Sequence, residues 1–90
     1  MIKNIYRQSR DCLLEKMGGD VLLYIPSTAS AVQLNDSSRI VWQLCDGERT
    51  VGDIIEVLCD IYPDQSGQIP EDVRRAIEML WDNQVLELVN

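Results

Sequence analysis

The chain contains no histidine. That removes the commonest general base and the commonest metal ligand together. Cysteine is sparse: Cys12, Cys45 and Cys59 stand far apart and form no C-x-x-C pair, so neither a metal site nor a redox motif is expected. Cys45 and Cys59 fall on apolar helical faces and read as small buried hydrophobes. Gly18-Gly19 is too short for a phosphate-cradling loop and does not open a helix. No cofactor is therefore expected. Glu15, Glu48, Glu56, Glu78 and Glu87 fall on predicted solvent faces, where nothing shifts a carboxyl toward acid–base work. No catalytic residue stands out, and an enzyme is not expected.

Positive charge is also in short supply, with 8 basic residues against 15 acidic ones and a net charge of −7. The one basic cluster is the pair Arg74-Arg75. A nucleic-acid binder needs a cationic face that displaces counterions from phosphates, so nucleic acid and anionic membrane surfaces are poor partners and neither is expected. A neutral or cationic peptide fits the charge better. No run approaches the ~18 apolar residues of a membrane span, and Met1 to Arg10 lacks the apolar core of a signal peptide. A reduced, cytoplasmic setting is the expectation.

What the chain does have is 46% apolar residues over 90 positions, enough for one modest core in a single domain, residues 1–90. Met1 to Arg10 reads as a flexible N-terminal arm. Two β-rich runs, Cys12 to Met17 and Asp20 to Ile25, flank Gly18-Gly19 as a hairpin that Pro26 ends. Ser27 to Ser30 form a small-residue loop, and Ala31 to Leu34 a short third strand. At Asn35 the period changes from two to 3.6. Asn35 caps a first helix with an apolar stripe of Ile40, Val41, Leu44 and Cys45, which Asp46-Gly47 ends. Thr50 and Asp53 form a capping box for a second helix, whose stripe is Val51, Ile54, Ile55, Leu58 and Tyr62. Pro63 stops it. Pro70 starts a third helix with a stripe of Val73, Ala76, Ile77 and Leu80, and Asn83 is its expected left-handed cap. Val85 to Val89 form an apolar tail, read either as packing on the core or as a short strand. The expected class is α+β and winged-helix-like: a three-stranded antiparallel sheet followed by three helices.

The run Leu34-Asn35-Asp36-Ser37, then Ile40-Val41-Trp42, then Leu44-Cys45-Asp46-Gly47-Glu48-Arg49-Thr50-Val51, with the pair Ile54-Ile55, resembles the PqqD-like family. These are small proteins of pyrroloquinoline quinone (PQQ) biosynthesis and their relatives, also called RiPP recognition elements. The similarity covers nearly the whole chain. It departs from the family pattern at Ala31 and Val32, where many relatives carry an aromatic. The resemblance implies a non-catalytic peptide chaperone. Such a protein binds the leader of a ribosomally synthesised precursor peptide and presents it to a tailoring enzyme, often a radical S-adenosylmethionine (SAM) enzyme.

The physical form of that role is strand addition, an extended leader pairing with a free sheet edge. The third strand would supply the edge through Ala29, Ser30, Ala31, Val32, Gln33 and Leu34. On helix three, Arg74, Ile77, Glu78 and Trp81 share a face that would form the opposite wall. Trp81 reads either as an apolar platform for the leader or as packing on the tail. Arg74 reads either as a carboxylate receptor or as a solvated charge. An exposed edge also allows a homodimer. Two other functions fit the element order: an adaptor subunit that binds no leader, and a winged-helix DNA-binding regulator.

Overall fold

The computed structural model describes residues 1–90. Its elements in chain order are β1 (Ile5–Gln8), β2 (Leu13–Met17), β3 (Asp20–Ile25), β4 (Ser30–Leu34), α1 (Asp36–Leu44), β5 (Asp46–Thr50), α2 (Val51–Ile61), a short 3-10 turn (Pro63–Gln65), α3 (Ile69–Asp82) and β6 (Leu86–Leu88). The α+β class stands, with three helices and two antiparallel sheets rather than one: β2-β3-β4 and β5-β1-β6.

The first sheet is the one the alternating pattern predicts. Gly18, at φ 64°, lets a two-residue turn pair Met17 with Asp20. From that pair the register alternates, so Leu23, Ile25 and Leu34 reach the core while Leu13, Met17, Ala31 and Gln33 face outward on the opposite side.

The second sheet departs from expectation. Residues 1–10, expected as a flexible arm, supply its middle strand. Tyr6 of β1 is buried in the same apolar cluster as Leu23 and Leu80. Ahead of β1, the carbonyls of Ile2 and Asn4 accept from Gly52 N and Val51 N at 2.9 Å each, which satisfies two of the orphan donors that open α2. Asp46 to Thr50, expected as a turn between helices, is strand β5. Three of its residues face the single Tyr6 between the pairs Ile5/Thr50 and Arg7/Asp46, and Gly47 at φ 85° forms this bulge instead of capping α1. The tail takes the strand alternative as β6, joined to β1 by the directly opposed ion pair Arg7–Glu87 at 2.8 Å. Glu87 also accepts from Arg10 N. That bond first, and Arg7 second, hold its carboxyl below the usual range.

Helix starts follow the sequence closely. Asn35 Oδ1 accepts from Ser38 N at 2.8 Å, and Thr50 and Asp53 exchange both bonds of the capping box at 3.0 Å. The end of α3 is shifted by one residue: Asn83 stays at φ −91°, and Gln84 takes the left-handed position at φ 62°. Val85 N then bonds Leu80 O at 3.2 Å and Gln84 N bonds Trp81 O at 3.0 Å, a Schellman closure. Trp42 Nε1 donates to Val85 O at 3.1 Å, tying α1 to the same corner. A non-glycine residue in this conformation is strained by about 1 kcal/mol. Gln84→Gly is therefore expected to stabilise the fold by ~0.5–1 kcal/mol. A urea titration checks this, and a lowered midpoint would contradict the assignment.

Candidate functional site

The two-residue turn at Gly18-Gly19 makes Met17/Asp20 a hydrogen-bonded pair. The antiparallel alternation then fixes every polar group in that sheet. Asp20, Leu22 and Tyr24 bond toward β2, while Val21, Leu23 and Ile25 bond toward Leu34, Val32 and Ser30 of β4. The N–H and C=O groups of Ala31 and Gln33 are left pointing away from the sheet. Within the chain, Ser30 to Leu34 make no backbone hydrogen bond except to β3. Because β6 pairs with β1 in the other sheet, the tail does not cover this margin.

Ala29 is a correction to the expected edge. At φ 54° it closes the β3–β4 turn, with its N–H bonded to Pro26 O at 3.3 Å, so the bare strand begins at Ser30. Ser30, Ala31 and Gln33 are exposed and Val32 is half-buried, whereas Leu34 is 5% exposed and contributes its side chain to the core.

The expected wall on α3 separates into different roles. Ile77 is 0% exposed and belongs to the core. It lies at the boundary of the apolar stripe, and packing claims it wholly, so it offers nothing to a peptide. Arg74 is already engaged: its guanidinium donates to Glu71 Oε2 at 3.1 Å and to Glu78 Oε1 at 2.8 Å. The hydrogen bonds to Glu71 and then Glu78 raise the Arg74 pKa, and Arg74 lowers that of Glu71. Glu78 is therefore a partner of Arg74 more than a free anion. Trp81 is 46% exposed and stands edge-on to Tyr6 of β1, ring centroids 5.8 Å apart. With Asp82, Gln84 and Leu86 it lines an open hollow beside the tail.

A feature that the sequence does not single out lies past the end of β4. The first turn of α1, the end of α2 and the first turn of α3 enclose a cleft of about 240 Å³. Ile40, Leu58, Ile69 and Val73 give it an apolar lining, and Asp36, Asp72 and Tyr62 also border it. Tyr62 reads as core in the helical stripe, yet it caps α2 and is 43% exposed. Asp36 and Asp72 read as ordinary first-turn charges.

No cluster of His, Cys, Asp or Glu has the arrangement of a metal site. Burial, with a smaller contribution from Asp46, pushes the Cys45 thiol up to about 12, so it is a packing group without nucleophilic character at neutral pH. No helix is long and apolar enough to cross a membrane.

The sequence pattern of the family described as Coenzyme PQQ synthesis protein D (PqqD) matches residues 20–86. A curated protein of Rahnella aquatilis named PqqA binding protein is 35% identical over 69 residues, which cover 77% of this chain and 61% of that protein. The chain thus spans about three-fifths of that relative's length. The solved structure titled "TbiB1 in Complex with the TbiA(beta) Leader Peptide" shares the fold with a TM-score of 0.73 at 18% identity, covering 90% of this chain and 94% of that one.

The burial of Ile77 gives a direct check. Ile77→Asp places an unpaired charge in the core at a cost of about 3–5 kcal/mol, a large part of a small domain's total stability. Circular dichroism of this variant is expected to show a largely unfolded chain at ambient temperature. A native spectrum with an unchanged melting curve would return Ile77 to the surface.

Proposed function

The chain belongs to the PqqD family, and on that footing we propose that it is a non-catalytic peptide chaperone. It captures the leader segment of a ribosomally synthesised precursor peptide, PqqA or a peptide of that kind, by strand addition at β4. The 90 residues act as a single recognition domain in the cytoplasm. The captured leader is presented to a tailoring enzyme, a radical SAM enzyme in this reading. The β2 margin, where Leu14 and Lys16 point outward by the same alternation, would serve self-pairing into a homodimer.

One observation carries the reading: the outward N–H and C=O groups of Ala31 and Gln33 have no partner inside the chain. Two margins of this sheet are bare, and their surroundings differ. Every residue of β2 is exposed, so nothing stands beside it to grip a side chain. The end of β4 runs through Asn35 into α1 and the apolar cleft. The similarity to a PqqA binding protein and the fold shared with a leader-peptide complex support peptide capture as the role. Against DNA binding, Arg74 and Arg75 are both paired with Glu71 on α3, which leaves no free basic helix for phosphates.

The energetics are consistent with a carrier that also releases. Four outward backbone groups at ~1 kcal/mol each give about 4 kcal/mol. Low-micromolar affinity needs about 8 kcal/mol after the peptide is ordered. Side-chain anchors must supply the remainder.

Ala31→Pro tests the margin with little damage to the sheet. Proline deletes an outward donor and leaves the β3 ladder its hydrogen bonds, and edge strands tolerate it. In a fluorescence anisotropy titration with labelled PqqA peptide, the folded variant is expected to bind roughly tenfold more weakly or not at all. Unchanged affinity would remove β4 from the site.

A further inference from the structure

The shortfall left by the backbone directs attention to the cleft past the end of β4. We propose that this cleft is a subsite for a basic side chain of the bound peptide, a Lys or Arg lying just N-terminal to its pairing stretch. The inference rests on the strand-addition reading above and adds to it a requirement on the peptide's sequence.

Direction comes from the sheet. Both existing pairings, β2 with β3 and β3 with β4, are antiparallel, and a third antiparallel strand continues the pattern. β4 runs toward the cleft, with Asp36 only two residues past Leu34. A peptide antiparallel to β4 therefore brings its earlier residues to that end. At ~3.3 Å per residue, the position reaching the cleft lies roughly two to four residues before the paired stretch.

The cleft's chemistry selects the side chain. Ile40, Leu58 and Val73 provide an apolar floor, and the exposed Tyr62 borders it. Asp36 and Asp72 border the same space, and no Lys or Arg lines it. Each carboxylate has one internal side-chain partner: Arg39 at 3.8 Å for Asp36, and Gln68 at 3.2 Å for Asp72. Both keep acceptor capacity to spare. A purely apolar residue would use the floor and leave the carboxylates at the rim, with Asp36 almost fully exposed, unused. A Lys or Arg lays its stem on the floor and ring and sets its charge between the carboxylates. The chain's net charge of −7 favours the same sign in the peptide.

The test is a selection of displayed random short peptides on four immobilised proteins: the parent, Ala31→Pro, Asp36→Asn/Asp72→Asn, and the charge-matched control Glu56→Gln/Asp60→Asn, whose sites are exposed on α2. The parent and the control are expected to enrich peptides with a Lys or Arg at a fixed offset before a β-prone stretch. The Asp36/Asp72 variant is expected to lose that position. In an enriched peptide, replacing the basic residue by norleucine is expected to weaken binding to the parent about fivefold and to leave the variant unaffected. Enriched peptides without a basic position, or an equal loss for parent and variant, overturn the subsite while strand addition stands. A selection that yields no peptide distinguishing the parent from Ala31→Pro overturns both.

Discussion

Strand β1 is held between β5 and β6, and this pairing determines what the rest of the chain leaves open. Ile5 N bonds to Asn90 O at 2.8 Å, and Val89 N to Ile5 O at 2.7 Å, so the first and last strands close on each other. The closure draws the apolar tail into one sheet, away from the other. Had the tail lain along β4, the outward groups of Ala31 and Gln33 would already be satisfied. An edge of this kind is a liability in most domains and is usually blunted by charge or proline. Here β2 carries Lys16 and Glu15, whereas β4 carries neither charge nor proline. The less defended margin is also the one that leads into a cleft.

How much of this is legible in sequence follows from the range of each interaction. The β2–β3 hairpin, β4 and the starts of the helices are local. Gly18-Gly19 sets a turn, Asn35 and Thr50 set caps, and alternation or 3.6-residue periodicity fills in the rest. β1, β5 and β6 are three to five residues long and pair across the chain, as Tyr6 with Leu88 and Ile5 with Thr50. Their local patterns are too short to show alternation, and one is bulged. The element order therefore reads as a winged helix with one sheet, and the second sheet appears only when the ends meet.

The candidate site divides in the same way. The strand margin from Ser30 to Leu34 is visible as an apolar and small-residue run before a helix cap. The expected wall on α3 is not reliable, because a helical wheel cannot decide the residues at the edge of a stripe. Ile77 falls inward, and Arg74 is used by Glu71 and Glu78, three back and four ahead. The cleft is hidden for another reason. Asp36 and Asp72 each look like an ordinary first-turn acid and Tyr62 like core, and only the packing of α1, α2 and α3 sets them around one space.

The central claim is that β4, and not β2, receives the peptide backbone. Hydrogen–deuterium exchange of the ¹⁵N-labelled protein, followed by NMR with and without PqqA peptide, measures this residue by residue. The predicted result is that the Ala31 and Gln33 amides, fast-exchanging in the free protein, become protected when peptide is added, while the Leu14 and Lys16 amides stay fast. Protection appearing on β2 alone, or on neither margin despite bound peptide, would contradict the account.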